Sequence, residues 1–182
     1  MQVSKKTRYV VFTAMFAAIS SVLMFFEFPL PFLPPFLKLD LSDVPVLVGA
    51  FIFGPIPAVA ITLIKDIIHL SVTQSGGVGE LADFLITSTL ALTAGLIYKA
   101  WNNKLASVIG SASGILLMTV VAVFSNIYIL LPLYMKQGSF DVKSYIIYGV
   151  VPFNIIKGLF VTIITLLVYK RLKLILFKNK KT

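Results

Sequence analysis

Six apolar runs divide the chain, at roughly 9–28, 43–53, 57–72, 81–100, 105–131 and 147–169. The first, fourth, fifth and sixth hold about 20 residues or more, enough for a helix to cross a hydrocarbon layer of about 30 Å. The 182 residues are 58% hydrophobic with a mean hydropathy of +0.97, more apolar surface than a soluble domain can hide. The chain therefore reads as an all-α integral membrane protein, a six-transmembrane-helix bundle forming a single membrane domain over 1–182. No length is left for a soluble catalytic domain. Positions 1 to 8 are basic, but the run that follows is long and lacks a small-residue cleavage pattern, so the first span is expected to be retained.

The two middle runs are short, and Gly54-Pro55-Ile56-Pro57 between them marks a turn between two helices or a kink in one. Basic residues decide. Six spans place Lys5, Lys6, Arg8, Lys99, Lys104, Lys170, Arg171, Lys173, Lys178, Lys180 and Lys181 on one side, against Lys38, Lys136 and Lys143 on the other. Five spans split them less sharply and separate the two basic termini. The positive-inside rule thus favours six spans, both termini cytoplasmic and a basic cytoplasmic tail over 170–182. The short second and third helices are expected to pack within the bundle, and a long outer loop follows helix 1. No internal repeat is evident, which argues against a symmetric alternating-access transporter.

The formal charge of +9 is concentrated at the ends of the chain. That is the pattern of a membrane protein facing anionic headgroups, not of a nucleic-acid binder. The absence of cysteine excludes thiolate catalysis, disulfides and cysteine-bound metal. Gly77-Val-Gly79-Glu-Leu-Ala82 matches a loose dinucleotide fingerprint, but no strand precedes it. No Gly-Lys-Ser/Thr phosphate loop occurs. Ser111-Ala-Ser113-Gly lacks the first glycine of a membrane serine protease motif, and the sole histidine, His69, lies two spans earlier. One histidine also argues against a His-based metal site. No catalytic residue, metal or cofactor is expected.

Polar residues inside or at the edge of the apolar runs are more informative. Charge at bilayer depth costs roughly 3 kcal/mol on insertion scales and persists where a cavity, partner or ligand offsets it. Asn154 and Lys157, three apart, share one helix face. Glu80 and Asp83 share a face at the outer mouth of the fourth span, where the helix dipole alone also favours acids. Asn126 lies toward the outer end of the fifth span. These five residues, from three helices, all fall in the outer half and predict a pocket that opens outward, with scattered interhelical hydrogen bonds as the plain alternative. Lys65 and Asp66 are sequence neighbours that cannot face each other on a helix, so each is expected to pair elsewhere.

Two loops flank that predicted mouth. Residues 29–42 are proline-rich yet apolar, which suits a lid folded over something, and 73–79 are small and flexible, as in a gate. Both can also be plain connectors. Ala14 and Ala18, with Ala17 beside them, form a small-xxx-small pattern on the first span that admits another helix closely; Gly110, Ala112 and Gly114 are a weaker case.

Four stretches carry a family resemblance: Leu39-Asp40-Leu41-Ser42-Asp43-Val44-Pro45 followed by Gly49-Ala50-Phe51-Ile52-Phe53-Gly54-Pro55, then Gly79-Glu80-Leu81-Ala82-Asp83-Phe84, and Pro152-Phe153-Asn154-Ile155-Ile156-Lys157-Gly158. With six helices, a short second and third, and an Ala-x-x-x-Ala first helix, nearly the whole chain resembles the S component of energy-coupling factor (ECF) vitamin transporters, and within it the riboflavin-specific members. The resemblance implies a substrate-capturing subunit without ATPase activity, working with a transmembrane T component and two cytoplasmic ATPases and toppling in the membrane to release vitamin inside. It implies that Asn126, Asn154 and Lys157 hydrogen-bond the flavin, that the backbone near Leu41 covers it, and that Ala14 and Ala18 face the T component.

The chemistry of flavin fits the same residues. Its imide edge alternates acceptors with one donor, which asparagine amides can match. A lysine suits the N1/C2-carbonyl side, the apolar spans and first loop suit the flat ring, and Glu80 and Asp83 are candidates for the ribityl hydroxyls. Riboflavin is thus expected as substrate, not cofactor. The alternatives are an S component for another vitamin or, from a different class, a small membrane enzyme or assembly factor. The enzyme is disfavoured because no nucleophile, histidine cluster or carboxylate pair is suitably placed.

Overall fold

Helix formation follows the apolar runs closely, and the breaks fall where the backbone demands them. The computed structural model describes residues 5–31, 33, 37–73, 75–134 and 141–177. Helix α1 is Lys5–Met24, α2 Asp43–Ile52 and α3 Pro55–His69, the last extended by a 3-10 turn at Leu70–Val72. Helix α4 is Val78–Trp101. Helix α5 runs Lys104–Ser125, passes through a π-helical turn at Asn126–Leu130 and ends in Leu131–Tyr134. Helix α6 starts at Val142–Tyr145, passes through a second π turn at Ile146–Val150 and continues as Val151–Phe177.

The middle break is a turn, not a kink. Gly54 sits at φ 99°, a region that favours glycine, and Pro55 begins α3 where its missing N–H costs nothing. Between α4 and α5 the chain reverses in two residues: Asn102 takes the left-handed conformation, and the Asn103 side chain accepts from the Ala106 amide at 2.7 Å, capping α5.

Two lengths differ from expectation. Helix α1 stops at Met24 rather than reaching 28, because Phe28–Pro29 leaves the helix to pair with Lys38–Leu39 as a short antiparallel ribbon, β1 and β2. Its apolar part, Tyr9–Met24, is shorter than a standard span. Helix α3, expected to be short, becomes long enough to cross once its 3-10 turn is added, so Pro55–Val72 joins Val78–Trp101, Lys104–Leu133 and Val142–Tyr169 as stretches of spanning length. Helix α2 behaves as expected. At ten residues it is about 15 Å long, and Asp43 through Phe51 are buried inside the bundle.

The main core gathers Val46, Leu47, Ile61, Leu90, Ala94, Met118 and Val161 from α2 to α6, while a smaller cluster of Leu37, Ala122, Tyr145, Val150 and Phe153 lies at the end that holds the ribbon. Apolar side chains such as Leu116 and Leu167, each 69% exposed, cover the outside, as lipid contact requires. Ala14 and Ala18 are exposed on α1 while Ala17 faces inward and is buried. Gly110 and Gly114, the weaker docking candidates, are instead used inside the molecule: a Cβ on Gly110 would lie 2.9 Å from the Ala94 carbonyl oxygen, and one on Gly114 2.8 Å from the Leu90 side chain. Of the segments singled out in the sequence, residues 32, 34–36 and 74, Lys136 and the tail lysines Lys178, Lys180 and Lys181 lie outside the described residues.

The α4–α5 contact is thus too close for a side chain. Gly110→Val should destabilise the protein by about 1–3 kcal/mol, because the obstacle is backbone. Ala112→Val, on the exposed face, should leave melting in detergent nearly unchanged. Equal melting of the two variants would show that the helices do not need glycine at this crossing.

Candidate functional site: a cavity on a buried ring of charge

Lys65 is completely buried, an arrangement that lipid and protein both penalise unless every ammonium hydrogen finds an acceptor. It does. Nζ donates to Ser42 Oγ at 2.8 Å, Asp43 Oδ1 at 2.9 Å and Asp83 Oδ2 at 2.5 Å. Each of those two carboxylates turns its other oxygen to Lys157, with Asp83 Oδ1 at 2.7 Å and Asp43 Oδ2 at 2.9 Å from Nζ. Two lysines and two aspartates therefore form a closed ring with alternating signs, joining α2, α3, α4 and α6. Thr87 Oγ1 donates to Asp43 Oδ2 at 3.1 Å, and Ser20 Oγ bonds the Ser42 carbonyl, tying in α1.

Asp66 does not follow expectation. It was to pair elsewhere, yet among the described residues its carboxyl oxygens are buried without a hydrogen bond, Oδ1 lying 3.6 Å from its own neighbour Lys65. The rule for helix faces does not capture so long a side chain, whose ammonium comes within 3.6 Å of the neighbouring carboxyl.

Above the ring is a cavity of about 660 Å³. Asp83 and Lys157 form its charged floor; Asn126, Asn154 and Tyr145 line one side; Ile86, Leu130, Leu131 and Phe153 provide apolar wall; Leu37, Lys38 and Asp40 close it from the first loop. Lys157 has at least one ammonium hydrogen beyond its two carboxylate neighbours, since Asp40 Oδ2 is 4.0 Å away. Asp40 Oδ1 accepts from the Ser42 amide at 2.6 Å. Burial pushes the Asp40 carboxyl above its ordinary range, against the pull of Lys157 and Lys65. The Lys38–Glu27 ion pair bridges the two sides of the ribbon at the rim.

The structure thus brings Glu80, Asp83, Asn126, Asn154 and Lys157 to one cavity. Leu41 is not among its lining residues; its side chain packs against the main core, while Leu37, Lys38 and Asp40 reach the cavity. Glu80 serves its own loop. Oε1 pairs with His69 Nδ1 at 2.9 Å, and Oε2 accepts from Thr73 Oγ1 at 2.9 Å and Ser75 Oγ at 2.8 Å, so the 73–79 connection is fastened to α4. The ring itself escaped sequence reasoning. Asp40, Asp43 and Tyr145 were not singled out, although two lysines at bilayer depth already require two anions to neutralise them.

Residues 8–169 match the family described as ECF transporter, substrate-specific component. The chain belongs to that family. It is similar to the riboflavin transporter RibU of Staphylococcus aureus (strain TCH60), 37% identical over 164 residues that cover 87% of each chain. It is also similar to the riboflavin transporter FmnP of Bacillus subtilis (strain 168), 29% identical over 177 residues, 92% of this chain and 93% of the relative. A solved structure described as "Structure and mechanism of the S component of a bacterial ECF transporter" matches with a TM-score of 0.84 at 37% identity, covering 94% of this chain and 99% of that one. The chain is therefore a membrane transporter component and not an enzyme.

Removing one charge from the ring should be far worse than removing a neutral pair. Lys65→Met leaves two carboxylates facing Lys157 alone and should cost about 3–5 kcal/mol of stability, read as a lower melting temperature in detergent. Lys65→Met combined with Asp83→Asn restores charge balance and should melt above the single variant. A double variant less stable than Lys65→Met would mean that the hydrogen bonds, not the charge balance, carry the ring.

Proposed function

We propose that this chain is the riboflavin-capturing subunit of an ECF-type importer, taking the vitamin into the cavity from the outer side of the cell membrane. The observation that carries the reading is the convergence of Asn126, Asn154 and Lys157 on one cavity of ligand size beside apolar wall. That is the donor and acceptor set suited to an isoalloxazine imide edge, and the relatives are named as riboflavin transporters. Asn154 Nδ2 donates to the Val150 carbonyl at 2.8 Å, which leaves Oδ1 to accept from a ligand N–H. The spare Lys157 hydrogen suits a ring carbonyl. Ile86, Leu130 and Phe153 suit the flat ring, and the backbone of 37–41 suits a cover over it. Asp83 and Glu80 have lone pairs beyond their present bonds for ribityl hydroxyls.

In this reading the protein is a multi-pass component of the cell membrane with both termini and the basic tail cytoplasmic. A transmembrane T component docks on the Ala14 and Ala18 face, and two cytoplasmic ATPases supply the energy this chain has no means to generate. Riboflavin is cargo and no cofactor is required.

Titration of riboflavin fluorescence against purified protein tests the reading directly. Strong quenching supports it; a folded protein that leaves riboflavin fluorescence unchanged overturns it in favour of another vitamin. Asn154→Ala should weaken binding by about 1–3 kcal/mol, the worth of a buried polar contact. Lys157→Ala should weaken it further but also lower the melting temperature, because Lys157 closes the ring.

Docking separates from capture in a second test. Ala14→Trp and Ala18→Trp add bulk on an exposed helix face away from the cavity. They should leave riboflavin quenching intact and abolish uptake in cells that supply the partner subunits. Uptake at the wild-type level would move the docking surface to another face.

A further inference from the structure

Asn126 stands where α5 leaves α-helical geometry, and both ends of its carboxamide are engaged. Nδ2 donates to the Ala122 carbonyl at 2.8 Å, and Oδ1 accepts from the Tyr145 hydroxyl at 2.7 Å. The first bond identifies which end of the amide is the nitrogen, since a backbone carbonyl only accepts. The oxygen therefore faces α6, and Tyr145 is the donor. Tyr145 is the residue before the π turn of α6, while Asn126 opens that of α5. Such turns are rare and recur at functional sites. Both side chains line the cavity.

Asn154 is the converse case. Its Nδ2 is held by the Val150 carbonyl, and its Oδ1 has no hydrogen bond among the described residues. One asparagine thus meets the cavity with its oxygen already engaged, the other with its oxygen open.

We propose that Tyr145 is a positioning residue for ligand polarity: its hydroxyl locks the Asn126 amide so that the group offers its second N–H hydrogen to the ligand, opposite the open oxygen of Asn154. The pocket then reads an edge that carries an acceptor for Asn126 and a donor for Asn154. This rests on the flavin reading above, because an imide edge supplies both. Without the hydroxyl, the terminal torsion of Asn126 lies in a broad well, and among the described residues only the Ala122 bond opposes rotation. Phenylalanine would fill the same space and leave the amide unlocked.

A double-mutant cycle tests the lock. Tyr145→Phe should weaken riboflavin binding by about fivefold to tenfold, the worth of a neutral hydrogen bond, with the melting temperature of the ligand-free protein nearly unchanged. In an Asn126→Ala background the same substitution should change affinity no further. In ligand-free protein labelled with 15N-asparagine, Tyr145→Phe should shift the Asn126 side-chain amide signals and leave those of Asn154 in place. Wild-type affinity for Tyr145→Phe, or the same loss with and without Asn126, would make Tyr145 a wall residue and overturn the proposal. If wild-type protein does not bind riboflavin, the capture reading fails, and the amide signals alone judge the lock: a shift retains it and no shift overturns it.

Discussion

The ring of Lys65, Asp43, Lys157 and Asp83 is the interaction on which the rest of the structure depends. Each charge alone would be costly at this depth, several kcal/mol per ion. Together they are neutral, and each carboxylate spends one oxygen on each lysine. The arrangement demands that α2, α3, α4 and α6 meet at one level, which explains why the ten-residue α2 lies buried inside the bundle rather than spanning it. It also separates two kinds of interior. On one side is a dry core of Val, Leu, Ile and Ala; on the other is the polar-floored cavity.

That position changes what Lys157 brings to a ligand. With two carboxylates beside it, the ammonium is a hydrogen-bond donor on neutral ground rather than an unpaired positive charge. The floor therefore suits a neutral polar ring better than a strongly anionic group. The side wall adds direction. Asn126 opens the π turn of α5 and Tyr145 precedes that of α6, and the side chains of both asparagines bond back to the carbonyl four residues earlier, at Ala122 and Val150. These bonds, with the Tyr145 hydroxyl as a second hold on Asn126, favour one orientation before any ligand arrives, which reduces the ordering cost of binding.

Most of the helical frame was legible in the sequence because apolar length and the Gly54–Pro57 break are local signals. Lys157 and Asn154 were legible as a polar face for the same reason: two residues three apart on one helix need no tertiary information. The ring was not. Asp43 sits at the first turn of α2, where an acid is ordinarily explained by the helix dipole, and nothing local says that its two oxygens reach α3 and α6. Glu80 has a second role that nothing local shows: both its oxygens fasten the 73–79 connection through His69, Thr73 and Ser75 while the residue also lines the cavity. The end of α1 was overestimated because Phe25 to Phe28 continue the apolar composition while the β1–β2 pairing competes for their backbone.

The ring also limits how the cavity can open. Parting α2, α3, α4 or α6 would separate paired charges in a medium that cannot solvate them, so those helices move as one body or not at all. Access must come from segments outside that body. The ribbon Phe28–Pro29 with Lys38–Leu39 is one: it is held at the rim by the Lys38–Glu27 pair and places Leu37 over the cavity. The 73–79 connection also lies outside it but is held more firmly, because Glu80 and His69 are buried. The Lys38–Glu27 pair is part-exposed, so water can replace it at little cost, unlike the ring below. In the capture proposed here, a rigid floor with a detachable ribbon at its rim admits a small molecule from one side, while Ala14 and Ala18 lie exposed on α1. The proposed capture and the proposed docking then use different surfaces of the protein.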